Sequence, residues 1–248
     1  EDVIIKGKIS ETNTVRLCDT MRAIKFLMDS HRVTKFRACA TSAMREATNG
    51  KDVAQRVKEM TDIDIQIIDG NDEAAIIAST DIRSLIMVDK TFLYVDVGGG
   101  STEFTIFSNG KTVASKSFKL GTVRIINNMV SDTIWQEVEE WIKKETKTYT
   151  KISVIGSGGN INSIFKQSGK KQGKPLSYLY LMSYYEFVKS YSYEERVVEL
   201  DMNPDRADVI IPATRIYLSA MKWSRSRKIF VPKIGLSDGI VKGLYFDS

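Results

Sequence analysis

Three successive glycines, Gly98, Gly99 and Gly100, stand between Asp96 and Glu103 in the stretch DVGGGSTE, directly after the apolar run Thr91–Val97. Removing the Cβ from three neighbouring positions lets backbone N–H groups converge on phosphate oxygens, and Ser101 and Thr102 add hydroxyl donors. A carboxylate at each end would repel a bare phosphate. The pair therefore suits a hard divalent cation, Mg2+, held by Asp96 and Glu103 and bridging to a phosphorylated substrate. A plain hairpin with three flexible glycines is the alternative, although such a turn is costly in backbone entropy unless something is bound.

Three further segments carry residues of the same chemistry. Gly156-Ser157-Gly158-Gly159-Asn160 follows the apolar run ISVI and leads into a helical stretch, so free N–H groups and the helix dipole would point at one anion. A mere strand-to-helix turn would read the same way. In Thr41-Ser42-Ala43-Met44-Arg45, a guanidinium follows a strand at a point where it could bind a phosphate bidentately, or simply sit exposed behind a helix cap. Asp69 to Ala74 opens a helix with acidic residues, Glu73 among them, and complementing the helix dipole accounts for that pattern by itself.

Composition narrows the chemistry. The single histidine, His31, falls at an apparent helix end, so imidazole triads and His-rich metal sites are excluded and acid/base work passes to carboxylates. Cys18 and Cys39 have no His or Cys at metal-ligand spacing and are expected to be buried free thiols. With 248 residues, 42% of them hydrophobic, the chain can form one large domain or two small ones. Its net charge of +5 suits a polyanionic partner. The densest basic stretches, Lys166–Lys174 and Arg225–Lys228, lack interleaved aromatics, so they read as solvated faces and nucleic acid is not expected as a partner. No apolar run reaches membrane-spanning length, and the first residues, EDVIIKGKIS, lack the layout of a secretory signal; a cytoplasmic protein without a membrane partner is expected.

The elements that must position these residues alternate along the chain. Apolar spacing over Thr14–Ser30 predicts an amphipathic helix, Lys35–Ala40 and Ile63–Ile68 predict strands, and Asp72–Ile86 a helix. Thr91–Val97, Glu103–Phe107 and Thr112–Phe118 read as strands, the last two joined by a hairpin at Asn109-Gly110. A helix near Thr133–Thr146, a strand Ile152–Ile155, and helices after Gly159, near Ser183–Ser190 and over Arg206–Trp223 follow. Ser168–Leu176, with its Gly and Pro residues, is the expected mobile loop. This order is that of an α/β protein whose sheet mixes hairpins with helical crossovers.

Taken together, ATSAMREATNG, IDGNDEA, YVDVGGGSTE, LGTVR, GSGGN, PDRADVI and GLSDGIVKGL resemble the exopolyphosphatase and guanosine pentaphosphate phosphohydrolase (Ppx/GppA phosphatase) family, from about Gly7 to Leu244. The resemblance implies a two-domain actin-like fold, with mixed sheets flanked by helices and an interdomain cleft. The first domain would cover residues 1–90 and the second 91–248, the final helix returning to the first. It implies a Mg2+-dependent hydrolase, part of the stringent response, that removes a terminal phosphate from inorganic polyphosphate or guanosine pentaphosphate. Glu73 would orient or deprotonate the attacking water, Arg45 would bind the departing phosphate, and the Gly98–Ser101 and Gly156–Asn160 backbones would grip phosphates. Asp96 and Glu103 would hold the metal, and a homodimer is among the assemblies allowed. Two departures are noted. Family members open with a segment resembling AIDLGSNS, which this sequence lacks, so the first phosphate loop is expected to be missing, and a sensor that binds such ligands without turnover is the alternative. Ser237 and Asp238 also stand where GLREG carries Arg and Glu.

Overall fold

The computed structural model describes residues 2–78, 80, 90–233 and 235–246. The chain forms two compact units, Glu1–Thr80 with Leu236–Ser248, and Asp81–Gly235.

The first unit begins with a short helix α1 (Asp2–Lys6) that the sequence reading did not anticipate. Asp2 accepts hydrogen bonds from the Ser10 hydroxyl and the Asn13 amide, which hold its carboxyl down at about 2. Ser10 in turn caps α2 (Glu11–Ser30). That helix is longer than expected and buries a narrower face. Thr14 and Cys18 are enclosed, with Leu17, Met21 and Met28 half-buried beside them, while Phe26 and Leu27 remain 74% and 60% exposed. The buried positions follow the three- and four-residue spacing of one helical stripe that meets α4 (Gly50–Thr61), and Phe26 and Leu27 lie off it. Strands β1 (Ala38–Ala40) and β2 (Ile65–Ile67) pair in parallel, joined through α3 (Ser42–Glu46) and α4. Both strands are shorter than expected, because Lys35–Arg37 are exposed outside the ladder. Cys39, on this small sheet, is half-buried, unlike the enclosed Cys18; both thiols are free. After β2, α5 (Gly70–Ala78) packs against the C-terminal helix Leu236–Phe246. Of the remainder of the helix expected to Ile86, Thr80 is a bend and residues 79 and 81–86 lie outside the described residues.

The second unit is a six-stranded mixed sheet flanked by helices. Its strands are β3 (Thr91–Val97), β4 (Thr102–Ser108), β5 (Lys111–Phe118), β6 (Ile152–Ser157), β7 (Leu176–Ser177) and β8 (Lys228–Phe230), in the order β5-β4-β3-β6-β8-β7. β3 runs antiparallel to β4 and parallel to β6. Leu93, Tyr94 and Val95 are at most 1% exposed, which explains why β3 reads as one continuous apolar run: both of its faces are covered. Asn109 and Gly110 take φ of 51° and 73°, the angles the expected β4–β5 hairpin requires. Lys111 and Lys116 lie on the edge strand β5, where charge discourages pairing with another chain.

Among the described residues six helices accompany the sheet: α6 (Thr122–Ile126), α7 (Asp132–Thr146), α8 (Gly159–Gln167), α9 (Tyr178–Lys189), α10 (Tyr193–Val198) and α11 (Pro204–Trp223). α9 starts five residues earlier than the apolar spacing predicts, because Ser177 caps it through the Tyr180 amide. Val138, Ile142, Ile161, Ile164, Leu181, Ile210 and Tyr217 pack with the strands into one core. Among the described residues no helix is long and apolar enough to cross a membrane.

Candidate active site

Both glycine turns belong to the second unit and lie at the same end of its sheet, because β3 and β6 are parallel neighbours with Asp96 opposite Ser157. β3 and β4 are antiparallel across the first turn, with Asp96 opposite Glu103. Side chains directly opposite on neighbouring strands share a face, with Cβ atoms about 5 Å apart. Asp96, Glu103 and Ser157 are thus gathered by strand register alone.

The first turn is built around the helix that follows β5. Gly98 N–H donates to the Ser101 carbonyl at 2.9 Å, closing the turn. None of the three glycines takes a left-handed φ. What the contact with α6 needs is room: a Cβ on Gly99 would stand 3.2 Å from Val123 Cγ2, and one on the neighbouring Gly121 2.2 Å from the Gly99 oxygen, so the two backbones touch. The amides of Thr122 and Val123 donate to the Gly98 and Gly99 carbonyls at 3.0 Å each, and Arg124 Nε donates to the Gly100 carbonyl at 2.8 Å. These three bonds orient the turn. In a trans peptide the C=O of one residue and the N–H of the next point in opposite directions. With the carbonyls of Gly98, Gly99 and Gly100 directed at α6, the amides of Gly99, Gly100 and Ser101 face away from it. Among the described residues none of those three amides has an acceptor.

The hydroxyls of this turn are spoken for, contrary to the sequence reading of Ser101 and Thr102 as phosphate donors. Ser101 Oγ donates to Glu103 Oε1 at 2.6 Å, Ser117 Oγ donates to the same atom at 2.9 Å, and Thr102 Oγ1 donates to the Leu120 carbonyl. Ser101 and Thr102 are buried, where a hydroxyl must find a partner; Ser117 reaches Glu103 from the exposed edge strand. The two serines fix the Glu103 carboxylate through Oε1, and among the described residues Oε2 accepts no hydrogen bond.

At the second turn Gly158 takes φ of 111°, a conformation L side chains rarely adopt, and a Cβ there would come within 3.6 Å of Asp96 Oδ1. The turn opens α8, and no side chain caps that helix, whereas Ser131, Ser177, Ser192 and Asn203 cap α7, α9, α10 and α11. The first amides of α8 have no acceptor among the described residues, and the buried Asn160 Oδ1 lacks a partner as well. An uncapped helix start with its dipole intact is an anion site. Two residues hold the turn from below: Tyr217 OH donates to the Ser157 carbonyl and Arg206 Nη1 to that of Gly159.

Asp96 is the electrostatic centre. Burial, and then the like charge of Glu103, raise its carboxyl to about 6, against the pull of the Ser157 and Tyr94 hydroxyls. Tyr94 OH lies 3.4 Å from Asp96 Oδ2, and burial next to that carboxylate raises both Tyr94 and Tyr217. A cation between Asp96 and Glu103 would remove the repulsion that raises Asp96. Among the described residues no group of three or more His, Cys, Asp or Glu side chains gathers around a point, so no all-protein cage exists. Two carboxylates fit Mg2+, which is commonly held by one or two carboxylates, with waters and substrate phosphates completing its octahedron.

The remaining candidates lie in the first unit. Glu73 is 8% exposed in the first turn of α5. Arg45, half-buried on α3, donates through Nη1 to the Ile68 carbonyl at 2.8 Å, which ties it to the segment that leads into Asp69 and α5. Asp69 Oδ1 accepts from the Asp72 amide at 2.9 Å, so Asp69 caps α5. Sequence reasoning gave no role to Gly121, Arg124, Arg206 or Tyr217. The first three fall within LGTVR and PDRADVI, motifs whose only signal was their presence; Tyr217 had none.

Comparison with known proteins follows this geometry. The family model described as the Ppx/GppA phosphatase family matches residues 1–245. The chain is 29% identical over 126 residues to exopolyphosphatase 1 of Mycobacterium tuberculosis, covering 51% of this chain and 37% of that protein. It is also 29% identical to the bifunctional 3-dehydroquinate synthase/phosphatase of Fusobacterium nucleatum, over 87% of this chain and 36% of that one. The matched stretches thus span little more than a third of these relatives' length. Among solved structures, an exopolyphosphatase from Cytophaga hutchinsonii superposes with a TM-score of 0.85 at 25% identity, covering 97% of this chain and 84% of the other. The Aquifex aeolicus Ppx/GppA family member superposes with a TM-score of 0.79 at 22% identity, over 99% and 85% of the two chains. The mixed α/β fold expected from the sequence is therefore the fold of these structures.

Proposed function

Because the chain belongs to the Ppx/GppA phosphatase family, we propose that it is a phosphohydrolase that removes the terminal phosphate of inorganic polyphosphate or of guanosine pentaphosphate. The observation that carries this reading is the pair of amide sets without acceptors, Gly99–Ser101 and the start of α8, around the facing carboxylates Asp96 and Glu103. Such a surface is cationic at its donors and anionic at its centre, which suits a phosphate chain accompanied by a metal and suits neither alone.

In this reading Asp96 and Glu103 hold Mg2+, which when bound neutralises charge on the phosphoryl oxygens. The Gly99, Gly100 and Ser101 amides hold one phosphate and the α8 amides another, both positioned by backbone and costing no reorganisation during reaction. Ser101 and Ser117 keep Glu103 in a single orientation. To Glu73 we assign the orienting of the attacking water, and to Arg45 the binding of the phosphate that leaves. Both assignments rest on the family's IDGNDEA and ATSAMR motifs. With the single histidine outside those motifs, a carboxylate is the available base.

Orthophosphate release from tripolyphosphate and from guanosine pentaphosphate, with and without Mg2+, tests the reading. Release is expected only with Mg2+, and Glu73→Gln should abolish it while calorimetry still detects binding. If the wild type binds either compound with Mg2+ and releases no orthophosphate, the chain is a sensor and the hydrolase reading is wrong.

A further inference from the structure

At the opposite end of the second unit's sheet from the glycine turns, the two basic stretches of the sequence meet. The loop between α8 and β7 brings Lys170, Lys171 and Lys174 to the edge of the sheet, where Ser177 pairs with Lys228 at the start of β8. With Leu176 as a buried floor, these residues line a groove of about 440 Å3. That is within the range of small-ligand sites. By strand rise and spacing, the Ser177–Lys228 pair stands about 15 Å from Ser157.

The loop is tied to itself: Lys170 Nζ donates to the Pro175 carbonyl at 2.9 Å, the Lys170 amide to Ser168 Oγ at 3.2 Å, and the Lys174 amide to the Lys171 carbonyl at 3.1 Å. These bonds fix the backbone of the loop and the Lys170 ammonium at the groove that Lys171, Lys174 and Lys228 also line. Nothing acidic offsets them along the chain. No Asp or Glu occurs between Glu145 and Glu186, or between Asp208 and Asp238, the two stretches that supply the groove. Among the described residues none of the four lysines makes an ion pair. Four exposed lysines around one groove, with no acidic neighbour in either stretch, create a positive potential that raises the local concentration of anions.

The lining also selects the kind of anion. None of the residues lining the groove is aromatic, so it offers no platform for a base, and none is Arg, so no planar fork selects a single phosphate group bidentately. Lysines are point charges on flexible stems, suited to a linear run of phosphates read by charge alone. We propose that the groove is a second anion site, for a segment of inorganic polyphosphate remote from the terminus being cut. This rests on the phosphohydrolase reading for its substrate class, and it makes long chains better ligands than short ones.

The test compares the full chain with a Lys171→Ala/Lys174→Ala/Lys228→Ala variant, which keeps the Lys170 bond to Pro175. Binding of long-chain polyphosphate and of tripolyphosphate is measured by calorimetry without divalent cations over a range of salt. The variant is expected to bind the long chain about tenfold more weakly, and the slope of log affinity against log salt to fall by about 2, as for three lost phosphate contacts. Tripolyphosphate binding and hydrolysis should be unchanged. Equal affinity and slope for the long chain in both proteins would overturn the proposal, as would an equal loss for tripolyphosphate. Tighter binding of charge-matched single-stranded RNA than of polyphosphate, lost in the variant, would overturn it in favour of nucleic acid. If neither protein releases orthophosphate yet long-chain binding depends on the lysines, the hydrolase reading fails and the groove assignment stands.

Discussion

Asp96→Asn offers a measurement in which stability and chemistry separate. Burial and the Glu103 charge raise the Asp96 carboxyl from its ordinary 3.8 to about 6. The folded state therefore binds this proton more tightly than the unfolded chain does. The stabilisation is fully present below about pH 4 and is lost as the pH rises through about 6. Between those limits the loss is about 3 kcal/mol, reduced to the extent that water reaches the half-buried side chain. Asparagine keeps the shape and never ionises. Urea unfolding of both proteins from pH 4 to pH 8 in chelator gives the wild-type minus variant difference. It should be flat below pH 4, shift by 2–3 kcal/mol in favour of the variant by pH 7, and stay flat above. Glu103→Gln, by removing the second cause of the shift, should move the wild-type midpoint back towards 3.8. A wild-type minus variant difference that does not change with pH would refute the argument that an ionised Asp96 is held against its own solvation energy. Adding Mg2+ at pH 7.5 should raise wild-type stability and leave Asp96→Asn nearly unaffected, and the activity lost with the carboxylate would be the counterpart of the stability gained.

Gly121→Ala places a Cβ 2.2 Å from the Gly99 carbonyl oxygen, a backbone atom that cannot rotate away. Urea unfolding should show a loss of about 1–3 kcal/mol, and tripolyphosphate binding should weaken because the turn's amides shift with its carbonyls; wild-type values for both would sink the docking argument. Tyr217→Phe removes the buried hydroxyl that donates to the Ser157 carbonyl. An unmatched buried carbonyl costs about 1–3 kcal/mol. The same variant should raise KM for tripolyphosphate more than it lowers kcat, and a thermal melt indistinguishable from wild type would show that water replaces the phenol.

The large elements were legible because their causes are local. The two-sided burial of β3 writes a continuous apolar run, and Asn109-Gly110 writes its own hairpin. The helix over residues 14–30 was legible in kind and misread in orientation: apolar residues mark its length, but only contact with α4 decides that Thr14 and Cys18 face inward while Phe26 and Leu27 do not. In the second unit, Asp96, Glu103 and the two turns were singled out from residue type and spacing. The use of their hydroxyls was not, because Ser101 reads as a phosphate donor until Ser117 and Glu103 are seen on the same face. Tyr217 was invisible for the same reason: it lies 60 residues from the carbonyl it supports.

The triple glycine owes its place in the fold to a cause that the sequence does not display. Glycine was expected for its freedom and for the missing Cβ that lets amides meet a ligand. None of the three uses a left-handed φ, so conformational freedom is not what Gly98–Gly100 contribute. The absent side chains of Gly99 and Gly121 instead let α6 approach closely enough for its first amides and Arg124 to take the three carbonyls. Because each peptide is planar and trans, engaging the carbonyls on one side presents the following amides on the other. The surface of open amides is thus set by contacts on its back, and in the proposed function LGTVR would act on phosphate without touching it. Substitutions on α6 that leave the glycines intact, Arg124 above all, should therefore weaken phosphate binding as surely as changes in the turn itself.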